Sequence, residues 1–173
     1  MRGAVDALVQ GALVELFHAY GVALAPMPRT ALRDTVKLHE VNAYIGFSRH
    51  ASKHAKQLGK LTISMPTAVF DLVKGDEIRN ARPDDWAREL VNQLMGRIKN
   101  RLLQFGALLQ IGLPASISPN AEEKPEYSST VRLYTGRTLR GDVLVTLAGM
   151  PEESELSYVG PDGLAQEGDL ILF

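Results

Sequence analysis

The chain has 173 residues, 45% of them hydrophobic and 23% charged, with a formal net charge of -1. That is enough length for one domain with a substantial core. The near-neutral balance argues against general nucleic-acid binding, which needs clustered positive charge to neutralise phosphates. Cysteine is absent from the sequence, so disulfides, thiolate zinc sites and a cysteine nucleophile are excluded.

Over residues 4–20, Val5, Leu8, Val9, Ala12, Leu13, Leu16, Phe17 and Tyr20 recur at three- and four-residue steps. This spacing predicts an amphipathic helix, closed by Gly21. Asp6, Gln10, Glu15 and His18 interrupt the run, which suits neither a membrane span nor a signal-peptide core. The expected address is therefore the cytoplasm. Pro26 and Pro28 then impose extended structure. Residues 35–38 and 41–48 (VNAYIGFS) read as strands, being rich in branched and aromatic side chains. The stretch 49–60, RHASKHAKQLGK, reads as a long basic loop, and 61–65 (LTISM) as the returning strand of a hairpin. Pro66 opens a short helix to about Lys74, and 75–82 is a polar connection.

The next element, 83–106, is predicted as one long helix. Pro83 suits the first helical position, Asp84 and Asp85 complement the positive end of the helix dipole, and Gly106 can close the last turn. Trp86, Leu90, Leu94, Ile98, Leu102 and Phe105 form its apolar face. Asp85, Glu89, Asn92 and Gly96 fall on the opposite side, within a stripe about 60° wide. Asn92 and Gly96 are both poor helix formers, Gly96 by about 1 kcal/mol relative to alanine. Two unfavourable residues on one stripe suggest that something approaches that face closely. Spacing alone is weak, because Glu77 and Asn80 repeat it in the polar connection.

Leu113-Pro114 follows, then a short strand at 115–118 and a loop at 120–129. Residues 131–134 and 142–147 (DVLVTL) pair as a second hairpin, and the tail alternates turns with short apolar pieces up to 170–173. Helix, strand pair, helices and strands in this order predict an α+β fold, an antiparallel β-sheet packed against long helices. One domain is expected over 1–173.

The pattern Asp85-x3-Glu89-x2-Asn92-x21-Pro114 resembles the signature of the CheC/CheX/FliY chemotaxis phosphatases. The flanks are similar too: an N-terminal amphipathic helix, a strand AYIGFS, a strand ending in Met65-Pro66, the motif helix, Leu113-Pro114 and a closing hairpin. The similarity runs from about residue 4 to 150, with 151–173 as a C-terminal extension. A single copy of the motif resembles the CheX type. The resemblance implies hydrolysis of the phospho-aspartate on a CheY-like response regulator. Asn92 would hold the attacking water in line with phosphorus, and Glu89 would pair with the regulator's lysine. Asp85, Gly96 and Pro114 would support the motif. No cofactor of its own is implied, since the regulator carries the Mg²⁺, and a homodimer joined at a sheet edge is expected. The stretch 49–60, the loop at 120–129 and the tail after Met150 depart from the family pattern. They leave open an alternative, a non-catalytic regulator-binding or adaptor module.

Other chemistry is less well supported. His50 and His54 have a metal-ligand spacing if helical, but no third ligand stands nearby. Arg49, Lys53, Lys56 and Lys60 could steer an acidic partner. Ser48 lacks the second glycine of a nucleophile elbow, and a glycine-rich phosphate loop is missing.

Overall fold

The computed structural model describes residues 3–52, 55–124 and 130–160. Helix α1 spans Ala4–Ala19 and ends where Gly21 takes a left-handed φ of 74°. Short strands β1 (Ala25–Pro26), β2 (Thr30–Ala31) and β3 (Val36–Lys37) precede the long hairpin of β4 (Val41–Ser52) and β5 (Ala55–Met65). Short helices α2 (Thr67–Phe70) and α3 (Asp76–Arg79) lead into α4 (Pro83–Leu103). Strands β6 (Leu109–Ile117), β7 (Glu122–Glu123), β8 (Arg132–Thr138) and β9 (Gly141–Ala148) follow, with a 3₁₀ turn at Glu153–Glu155.

Among the described residues, seven strands form one antiparallel sheet in the order β1-β8-β9-β5-β4-β6, with β2 also on β8. One face is apolar because alternate residues point the same way. Ala43, Ile45 and Phe47 of β4, Leu61, Ile63 and Met65 of β5, and Val143, Val145 and Leu147 of β9 are all buried. Helix α4 lies against β4, β5 and β6, and α1 packs on α4. Both helices contribute to the same core. The fold is therefore α+β, a sheet with its long helices on one side.

The other sheet face carries Asn42, Thr62, Ser64 and Thr146, which are nonetheless buried. A small ribbon of β3 and β7 is tied to this side. Ser64 Oγ accepts a hydrogen bond from the His39 amide at 2.8 Å, and Lys60 pairs with Glu123 at 2.9 Å. Thr62 Oγ1 and Asn42 Oδ1 have no hydrogen-bond partner among the described residues.

Three expectations need correction. The stretch 49–60 is strand where it is described, with Arg49 opposite Gln57 and Ser52 opposite Ala55. Polar composition suggested a loop, but backbone pairing carries a hairpin past the end of its apolar core. The strand after α4 begins at Leu109, so Pro114 lies inside β6. An edge strand tolerates proline because its outer side needs no amide partner. Within 120–129, Glu122–Glu123 pairs with Val36–Lys37 rather than staying loop, while 125–129 lie outside the described residues. The final apolar residues 170–173 also lie outside them.

Candidate functional site

Helix α4 is held from behind. Trp86, Ala87, Leu90, Val91, Leu94, Met95, Ile98 and Leu102 are buried along its inner side. Three rings meet Trp86 edge-on at the start of the helix: Phe17 at 6.0 Å, Tyr20 at 5.7 Å and Phe70 at 5.5 Å between centroids. Such edge-to-face contacts each add about 0.5–1.5 kcal/mol beyond burial. At the far end, Arg101 reaches across to Glu15 and to the Leu8 carbonyl of α1. The helix is thus a rigid bar with its outer face in solvent.

That outer face carries the predicted stripe. Asp85, Glu89 and Asn92 are exposed, and Gly96 is half-buried. Asp85 forms an ion pair with Arg88, one turn on. Glu89 Oε1 accepts a hydrogen bond from Gln93 Nε2 at 2.6 Å. The Asn92 side chain makes no hydrogen bond among the described residues, so its carboxamide is available as donor and acceptor at once. The structure therefore brings Glu89 and Asn92 together, with Asp85 one turn before. Pro114 lies on a different element, β6, which packs beside α4.

Two residues join the site that the sequence did not place there, Gln93 and Tyr20, the latter legible only as part of the apolar face of α1. Gln93 holds the Glu89 carboxylate, a contact that an i, i+4 spacing could have signalled. Tyr20 sits behind Gln93. Burial raises its phenol above the ordinary range, a hydrogen bond with Gln93 opposes this, and the Glu89 charge adds to it. Two cations border the stripe at helical spacing, Arg88 four residues before Asn92 and Lys99 seven after it, whereas Arg97 turns away toward Glu15 of α1.

The stripe does not line a cavity of its own in the clefts described. A cleft of about 190 Å³ is lined by Arg49, Gly106, Ala107, Leu108, Pro151, Glu155 and Leu156. Another runs along the outer part of β4, β5 and β6. Among the described residues no group of three His, Asp or Glu side chains could hold a metal ion. The side chains of His50 and His54 lie outside the described residues. None of the described helices is long and apolar enough to cross a membrane.

A chain of this shape has solved counterparts. A chemotaxis protein CheX from Desulfovibrio desulfuricans superposes with a TM-score of 0.68 at 17% identity, covering 83% of this chain and 97% of its own. The fold is that of the CheX and CheC-like chemotaxis proteins. A CheC-like superfamily protein from Shewanella sp. PV-4 matches equally well, with a TM-score of 0.68 at 16% identity over 86% of this chain and 98% of its own. The CheX fold also appears in the CheX-CheY-BeF3-Mg²⁺ complex from Borrelia burgdorferi, at a TM-score of 0.58 and 12% identity over 87% of this chain and 100% of that one. No protein-family model matches the sequence, and no curated protein matches it. The likeness thus lives in the backbone, at identities where few side chains are shared.

Proposed function

We propose that this chain is a phosphatase that hydrolyses the phospho-aspartate of a CheY-like response regulator. The observation that carries the proposal is the state of Asn92. It is an exposed amide whose side chain makes no hydrogen bond among the described residues, in the middle of a rigid helix, one turn from Glu89, on a CheX-like fold. An exposed amide on a convex helix face suits chemistry performed in another protein's pocket.

The chemistry fits those residue types. An acyl phosphate is reactive, and the regulator brings its own Mg²⁺, so the missing part is a correctly oriented water. An amide can accept from that water and donate to the phosphoryl oxygens without adding repulsive charge. Placing a reactant in line contributes up to about 7–11 kcal/mol in well-oriented intramolecular systems. Glu89, held by Gln93, would pair with the regulator's lysine and fix the docking. Asp85 and Pro114 would support the element geometry. The reaction would belong to the cytoplasm, where response regulators work. A homodimer is part of the same reading, with β6 as the contact, since its outer side has no strand partner among the described residues.

The test is the decay of a phosphorylated receiver domain from the same organism, followed with and without this protein. The proposal expects catalytic acceleration at substoichiometric protein. Decay at the spontaneous rate, with binding retained, would support instead a regulator-binding adaptor with the same fold.

A further inference from the structure

Glycines in this fold mostly have an internal reason to be glycine. A Cβ at Gly59 would lie 2.2 Å from the Phe47 ring, at Gly136 2.3 Å from Leu24, and at Gly149 2.4 Å from the Leu58 carbonyl. Gly11, the other glycine inside a long helix, would place its Cβ 3.2 Å from Arg101, whose guanidinium donates to the Leu8 carbonyl there. Gly3 and Gly75 have space around them, but each has a positive φ. Gly96 differs, and among the described glycines of the long helices it alone has neither reason; in the sheet, Gly46 would meet only the Gly59 carbonyl at an ordinary 3.9 Å. A Cβ at Gly96 would meet nothing within 4 Å, and its φ is in the ordinary helical range. Neither packing nor backbone conformation calls for glycine, and mid-helix glycine weakens α4 relative to alanine.

The demand must come from outside the chain if it comes from anywhere. Helical side chains tilt toward the N-terminus, so a side chain at position i+4 covers the turn below it. A residue with a side chain at 96 would project over Asn92. It would occupy the space where the Asn92 carboxamide meets its target. Lys99 borders the same stripe and Arg88, paired with Asp85, lies beside it, so positive charge flanks the place where a phosphorylated acidic site would seat.

We propose that Gly96 is a specificity-determining notch: its bare backbone lets the phosphorylated receiver seat against α4 closely enough for Asn92 to reach the acyl phosphate. The proposal rests on the phosphatase reading above and names the residue that sets the docking distance. Gly96 is a positioning residue and takes no part in the proton or phosphoryl transfer.

The experiment uses the full chain with Gly96→Ala, Gly96→Leu and Asn92→Ala, against receiver domains of the same organism. Affinity is measured for each receiver activated by beryllofluoride and Mg²⁺, and turnover with the phosphorylated form. Gly96→Ala should fold and raise Tm by about 2–4 °C, the shift expected from better helix propensity in a chain of this size. Gly96→Leu should lower kcat/KM on the order of a hundredfold through displaced docking, mostly in KM. Asn92→Ala should lose turnover while keeping affinity. If Gly96→Leu binds and turns over like wild type, the notch is refuted and the phosphatase reading stands. If wild type binds a receiver without turnover and Gly96→Leu abolishes that binding, the docking face stands and the phosphatase reading falls. If no receiver binds wild type, both fall.

Discussion

Removing the Glu155 carboxylate should loosen the strap that closes the lower end of the sheet. Arg49 projects from β4 with a side chain only 9% exposed. Its two terminal nitrogens donate to the two Glu155 oxygens at 3.2 and 3.0 Å, and its Nε donates to the Gly149 carbonyl at 3.4 Å. In Glu155→Ala a buried guanidinium keeps one long hydrogen bond. Breaking a fully buried pair costs about 3–5 kcal/mol, and an exposed pair about 0–1. Glu155 is 38% exposed, so the loss should fall between, at roughly 2 kcal/mol. At this chain length that is about 4–8 °C in Tm. The assay is thermal unfolding by circular dichroism of wild type, Glu155→Ala, Arg49→Met and the double variant. The hydrogen bond from Arg49 is the main reason the Glu155 carboxyl titrates below its ordinary range, with burial opposing it. A depressed folded-state value means the contribution is full above the ordinary carboxylate range and is lost as pH falls through the folded value. The gap between wild type and Glu155→Ala should therefore close in acid. Additivity within about 0.5 kcal/mol, or a gap that persists at low pH, would refute the reasoning.

Other outcomes follow from the same geometry. Leu94→Ala, fully buried under α4, should cost about 2–5 kcal/mol, whereas Asn92→Ala, two positions away and exposed, should leave Tm within about a degree or raise it slightly. Chemical denaturation of the two variants side by side checks this, and a destabilised Asn92→Ala would mean the amide serves the fold. Gly149→Ala should be severely destabilised, by about 3 kcal/mol or more, because φ is 76° and a Cβ would strike the Leu58 carbonyl at 2.4 Å. A soluble variant with unchanged Tm would contradict that contact.

Much of the fold was legible from periodicity. The faces of α1 and α4 follow from apolar residues at helical steps, because burial of one stripe is what makes a surface helix pay its way in a small domain. The hairpins were legible from branched residues, but their lengths were not. Residues 49–60 carry charge and little apolar alternation, so nothing in composition distinguishes a solvated loop from a solvated strand arm. The strand at 35–38 was legible, but its partner β7 and the strap from Met150 to Val159 were invisible for another reason. They are held by long-range contacts such as Lys60 with Glu123, Arg49 with Glu155, and Tyr158 on Phe105, which leave no local pattern. At the candidate site, the outward placement of Glu89 and Asn92 could be read from spacing. The Gln93 hold on Glu89 was open to the same reading, being an i, i+4 pair, whereas the open space at Gly96 depends on what neighbouring elements leave empty.

The central claim is that Asn92 supplies catalysis and not merely contact. Single-turnover decay of a phosphorylated receiver, measured at saturating wild type and at saturating Asn92→Ala, tests it most directly. Decay should be rapid with wild type and spontaneous with Asn92→Ala, at matched affinity for the beryllofluoride-activated receiver. Equal decay rates for the two proteins would contradict it.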